Sequence, residues 1–177
     1  MTTSRPSSAQ RFRPEIQFLR ALAVIAVVIY HINPAWLPGG FVGVDVFFVI
    51  SGFLITAGIL NRIETTGQFS LMQFWANRAR RILPAATVTI VVVSVLSLWL
   101  LPLTRLKDVA TQGIASALYI QNFALARQSV DYMAADAKPT PFQHFWSLSL
   151  EEQFYGVWPL LVVAARLVAG PGLRRDT

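Results

Sequence analysis

Cysteine is absent from the 177 residues, which excludes a disulfide framework, a thiolate nucleophile and a Cys-ligated metal. Charge is scarce as well. Asp, Glu, Lys and Arg make up 14% of the chain, against about 25% in a soluble domain. With 54% hydrophobic residues and a mean hydropathy of +0.51, a folded chain has too little polar surface to stay dissolved alone. The same figures exclude a disordered chain. Acidic residues are scarcer than basic ones, nine against fifteen, for a net charge of +6. That excess does not indicate a nucleic-acid module, because the basic residues are scattered between apolar runs and form no continuous patch with aromatic stacking positions. Retention of Lys and Arg in the cytoplasmic loops of a membrane protein accounts for it. The composition predicts an all-α fold, a polytopic transmembrane helix bundle. The length alone is near the ~150 residues of one domain.

A helix needs about 20 mostly apolar residues to cross the hydrocarbon. Five spans are expected: Phe18 to Ile32, Phe41 to Leu60, Ile82 to Leu103, Val109 to Ala126 and Phe145 to Val168. The fourth is uncharged but carries Thr111, Gln112, Gln121 and Asn122, so it should face protein more than lipid. The fifth holds Glu151 and Glu152 in its first third. Residues 1–13, rich in Ser, Pro and Arg, read as a disordered cytoplasmic tail, residues 14–169 as the membrane domain, and residues 170–177 as a short C-terminal tail. Arg11 and Arg13 ahead of an apolar core also resemble a signal peptide. No small-x-small cleavage site follows in HINPAWLPGG, however, and further spans do.

With the N-terminus inside, inner segments hold ten basic residues, counting Arg20, and outer ones five. This bias predicts a multi-pass protein of the inner (plasma) membrane with a cytoplasmic N-terminus. Three of the five outer residues, Arg166 at the end of the last span and Arg174 and Arg175 after it, contradict the rule. Either a returning helix is missing or the fourth span does not cross.

Three constellations can carry chemistry. Arg20 and His31 are eleven residues apart, which on a helix puts both on one face about 16 Å apart along the axis. A neutral imidazole can take a proton from an acceptor hydroxyl; a guanidinium cannot, and suits an anion instead. The bland readings are an interfacial histidine bonded to a neighbouring helix and an ordinary positive-inside anchor. The second is R-A-R-R, Arg78 to Arg81. Arg78 and Arg81 share a face and can fork onto phosphate oxygens, although basic residues beside a span often only set topology. The third is F-W-S-L-S-L-E-E-Q-F-Y-G-V-W-P, Phe145 to Pro159. Glu151 and Glu152 point about 100° apart on a helix, so they are not one carboxylate pair and at most one is expected at the site. The alternative is an aromatic belt of Trp146, Tyr155 and Trp158 with carboxylates among the headgroups.

Together, E-I-Q-F-L-R-A-L-A-V-I-A-V-V-I-Y-H, G-G-F-V-G-V-D-V-F-F-V-I-S-G-F-L-I-T, F-W-A-N-R-A-R-R-I-L-P-A and F-W-S-L-S-L-E-E-Q-F-Y-G-V-W-P resemble, in order, the first half of membrane acyltransferase family 3. That family includes O-acetylases of bacterial surface polysaccharides. The resemblance implies transfer of an acyl group, commonly acetyl, from acyl-CoA (acetyl-CoA) as co-substrate to a hydroxyl of a cell-envelope glycan or lipid-linked acceptor. It implies no permanently bound cofactor, metal or nucleic acid. The family's essential Arg and His match Arg20 and His31. Its R-x-x-R matches Arg78 and Arg81, and its Glu after W-S-L matches Glu152 or Glu151. On this reading His31, Glu152 and Glu151 are catalytic candidates, and Arg20, Arg78 and Arg81 bind the acyl donor. Asp45 is a structural polar contact, reaching toward an arginine. Asn77 stands where the family often has a further Arg. Family members resemble a bundle of about ten helices, so five spans suggest a truncated chain. The competing expectation is a non-catalytic remnant or a small membrane transport or assembly subunit.

Overall fold

A computed structural model describes residues 13–130 and 138–169. The expected tails therefore lie outside the described residues, apart from Arg13. All regular structure among the described residues is helical: α1 (Pro14–Ile32), a 3-10 turn (Gly40–Val42), α2 (Gly43–Thr66), α3 (Leu71–Leu100), α4 (Leu103–Ala117), α5 (Gln121–Ser129) and α6 (Phe145–Ala169). The chain divides into two compact units at Ile55/Thr56, within α2.

In the first unit, Pro14 opens α1, its fixed φ suiting the first helical position. Pro34 closes it by holding Asn33 extended (φ −153°, ψ 108°). α1 then crosses the start of α2 in antiparallel fashion. A Cβ on Gly40 would stand 2.4 Å from the Ala26 carbonyl oxygen, and one on Gly43 would stand 2.5 Å from that of Ala23. Only glycine allows this approach, which lets two apolar helices gain dispersion contact without water to drive them together. The Tyr30 ring meets Phe41 edge-on at 5.7 Å beside this crossing.

In the second unit, Ser70 caps α3 by accepting from the Gln73 amide (3.3 Å). Pro102 turns the chain at the far end, where Leu101 is extended. Helices α3 and α6 run antiparallel: Arg78 meets Glu151 (3.3 Å), while the contact at Tyr155, further along α6, falls back to Trp75.

The expected fourth span is not one helix. It breaks into α4, 15 residues, and α5, 9 residues, about 22 and 13 Å long. At the break Tyr119 takes φ 56°, a left-handed value that costs a non-glycine residue roughly 1–2 kcal/mol. Two features hold it there: the Ile120 amide donates to Ala115 (2.8 Å), and Gln153 Nε2 donates to the Tyr119 carbonyl (2.7 Å). The polar residues that spoiled the span become a buried network instead. Gln112 accepts from Gln121 (2.8 Å) and from Thr140, and donates to Gln128 (3.1 Å). The chain then returns to the start of α4, where Arg105 donates to the carbonyls of Lys138 and Pro139 (2.7 and 2.9 Å).

This break corrects the expected five crossings. Among the described residues three helices, α1, the Gly40–Thr66 run and α3, are long and apolar enough to cross a membrane. The fourth does not traverse as a single span. α6, with 25 residues, is long enough but carries Glu151, Glu152 and Arg166. Because α6 runs opposite to α3, Arg166 lies toward the same end as Arg78, Arg80 and Arg81. The discordance at Arg166 thus disappears; Arg174 and Arg175 lie outside the described residues. No more than 22% of the most apolar window of each spanning helix is buried within the protein, so these faces require a nonaqueous environment.

Candidate active site

The first unit contributes Arg20, His31 and Asp45. Arg20 is half-buried on α1 with its guanidinium 5.8 Å from the Phe47 ring centre, a cation–π distance. His31 occupies the last turn of α1, exposed, with Nδ1 2.7 Å from the Val27 carbonyl oxygen. A carbonyl can only accept, so Nδ1–H is the donor of this bond. Asp45 is exposed in the first turn of α2, where a carboxylate complements the helix dipole. No ion pair between Asp45 and an arginine is present among the described residues.

The second unit brings Arg78, Glu151 and Glu152 together. Arg78 Nη2 bonds Glu151 Oε1 at 3.3 Å, and Nε faces Glu152 Oε1 at 3.7 Å. Its guanidinium carbon lies 3.2 Å from the Tyr155 ring centre, and the Tyr155 hydroxyl donates to Glu151. Both carboxylates therefore face one cation, where the 100° divergence suggested that at most one would. The fork nitrogens of Arg78 reach them separately, bridging the divergence. Arg81, expected on the same face, is exposed, as is Arg80. Beside this cluster is a cavity of about 190 Å³, bounded by Trp75, Leu83, Gly156 and the side chains of Arg78, Tyr119 and Glu152.

Pro159 explains how α3 is seated on α6. Having no N–H, it cannot donate to the carbonyl four residues back, that of Tyr155. The Trp75 indole donates there instead, at 3.0 Å, while Pro159 is fully buried. This coupling is testable. Trp75→Phe should destabilise the protein by about 1–2 kcal/mol, and much less in a Pro159→Ala background, where the helix supplies its own donor. Equal losses in both backgrounds in thermal unfolding would refute it.

Sequence reasoning missed Trp75, Tyr119 and Gln153. The proline four residues beyond Tyr155 was a usable signal for a donor from outside the helix; nothing in the local pattern marked Tyr119, since glycine is usual at a left-handed helix end. Among the described residues no group of three His, Asp or Glu could hold a metal.

Residues 13–174 match the acyltransferase domain family. A peptidoglycan O-acetyltransferase, OatA, of Listeria monocytogenes is 44% identical over 166 residues, covering 93% of this chain and 26% of the relative. An O-acetyltransferase, OatA, of Staphylococcus aureus is 41% identical over 152 residues, covering 86% of this chain and 25% of the relative. The chain thus spans about a quarter of the length of these relatives. No solved structure matches it significantly. With nearly its whole length matched, the chain belongs to this family of membrane acyltransferases.

Proposed function

We propose that the chain forms the acyl-transfer region of a membrane O-acetyltransferase that moves acetyl from acetyl-CoA to a hydroxyl of a cell-wall glycan. The observation that carries this reading is the match over residues 13–174, together with relatives named as O-acetyltransferases. The arrangement at His31 supports the chemistry. Its Nε2 lone pair takes the proton of the acceptor hydroxyl, the oxygen attacks the thioester carbonyl, the C–S bond breaks, and the CoA thiolate leaves and is protonated. Arg20 and the exposed Arg81 bind the phosphates of the donor. Arg78 is already engaged by two carboxylates, so on this reading it positions Glu151 and Glu152 instead. Clustering of Arg62, Arg78, Arg80, Arg81 and Arg166 toward one end of the second unit supports placing that end in the cytoplasm of a plasma-membrane protein.

The test is gain of function. Produced in cells stripped of other envelope O-acylases, the protein should add base-labile acetate to the glycan, and the label should come from [14C]acetyl-CoA supplied to the cytoplasmic face of membrane vesicles. Absence of any added acetate while the protein is present in the membrane leaves the non-catalytic reading.

A further inference from the structure

Arg13, the N-cap residue of α1, lies on the same side of that helix as Arg20 and His31. At about 100° per residue, Arg20 is turned by only about 20° from Arg13, and His31 returns to the direction of Arg13; the axial rises are about 10 Å and then about 16 Å. Both guanidiniums rest on rings of α2. That of Arg13 lies 5.4 Å from the centre of the Phe53 ring, and that of Arg20 lies 5.8 Å from the centre of Phe47. The two cations thus sit one above the other in the seam between antiparallel helices. A ring covers one face of a planar guanidinium and leaves its edge N–H groups for an oxygen acceptor. Arg13 is exposed, and neither cation has an ion-pair partner among the described residues. Glu15, the acidic residue of the first turn, points about 160° away from Arg13 around the helix.

Two guanidiniums held at a fixed spacing on one face suit a ligand with anionic groups at two places. Acetyl-CoA is such a ligand, with a pyrophosphate and, beyond it, a 3′-phosphate on the ribose. Its use here rests on the acyltransferase reading, in which Arg20 holds donor phosphate and His31 meets the acyl group. The length of the donor then sets the register. About thirteen bonds separate the nearer pyrophosphate phosphorus from the sulfur, and an extended chain gains about 3.3–3.6 Å for every three bonds, so the arm spans about 15 Å. That matches the rise of about 16 Å from Arg20 to His31. The 3′-phosphate lies on the other side of the pyrophosphate from the sulfur, so it extends toward Arg13. We infer that Arg13 binds the ribose 3′-phosphate of the acyl donor and thereby selects acetyl-CoA over its 3′-dephospho form. The edge of the guanidinium forks onto the phosphate oxygens while Phe53 holds its face.

Binding can be read without turnover by calorimetry on the chain in phosphatidylcholine nanodiscs, whose zwitterionic lipid does not compete for the arginines, with CoA and 3′-dephospho-CoA as separate probes. The unmutated protein should bind CoA about tenfold more tightly, as expected for one charge-assisted contact at an exposed site. Arg13→Gln should bring CoA down to the affinity of dephospho-CoA and leave dephospho-CoA unchanged; Arg13→Lys should restore part of the preference. The Arg13 side chain makes no cap of α1, so these replacements leave the helix start intact. The assignment is overturned if the unmutated protein binds both probes equally, if it binds neither, or if Arg13→Gln weakens both to the same extent, which would make Arg13 a general anchor of the span. A protein that transfers acetyl but does not distinguish the probes keeps the proposed reaction and loses this site. One that distinguishes them through Arg13 and transfers nothing keeps the site and refutes the reaction.

Discussion

Replacing His31 with alanine should lower acetyl transfer by about 10²–10⁴-fold, the usual contribution of a positioned general base, while leaving the amount of protein in the membrane unchanged. The two halves of this expectation have separate physical sources. The side chain is exposed and its Nδ1 bonds the carbonyl of its own helix, so truncation creates no core cavity. Its placement comes from elsewhere: Pro34 ends α1 just beyond it, and Gly40 and Gly43 clamp α1 on the start of α2. The backbone that presents the imidazole therefore survives its removal. His31→Gly should then regain part of the lost rate when imidazole is added, because an exposed site can admit the free base. Full activity in His31→Ala would remove the histidine from the reaction. Loss of activity together with loss of protein would make its role structural.

The first three helices were legible because their physics is local. Apolar runs and the prolines at positions 14, 34 and 102 mark where a helix starts, stops and turns, and the basic residues mark one end. The fourth span failed for a reason that is not local. Gln121 and Thr140 both donate to Gln112 across the fold, and that network stabilises a break which an uncharged run does not announce. Tyr119 is held by Gln153, which donates to its carbonyl from 34 residues away, and by the next amide, that of Ile120, which donates to Ala115. The RARR cluster is visible in the sequence as a group of cations, but its division of labour is not. Helical geometry placed Arg78 and Arg81 near one another; packing of α6 on α3 then engaged one and left the other exposed.

That division makes Arg78→Ala a strongly destabilising change for a residue outside the apolar core of the second unit. The substitution leaves Glu151 and Glu152, adjacent in sequence and with side chains only 29% and 21% exposed, without the cation that both face. Breaking a fully buried ion pair costs 3–5 kcal/mol because the remaining charge is uncompensated; partial exposure here reduces the expected loss to about 2–3 kcal/mol. The guanidinium also gives up its place on the Tyr155 ring, 3.2 Å from its centre, a contact that contributes roughly 0.5–2 kcal/mol and is included in that loss. The attraction between the charges is a smaller matter than the penalty of isolating them. Neutralising all three positions together, with Arg78→Met, Glu151→Gln and Glu152→Gln, should therefore cost less than Arg78→Ala alone. Thermal unfolding in detergent reads this ordering directly. If the triple variant unfolds at or below the temperature of the single one, the arginine stabilises by attraction, and the account of a cation retained chiefly to compensate two half-buried carboxylates is wrong.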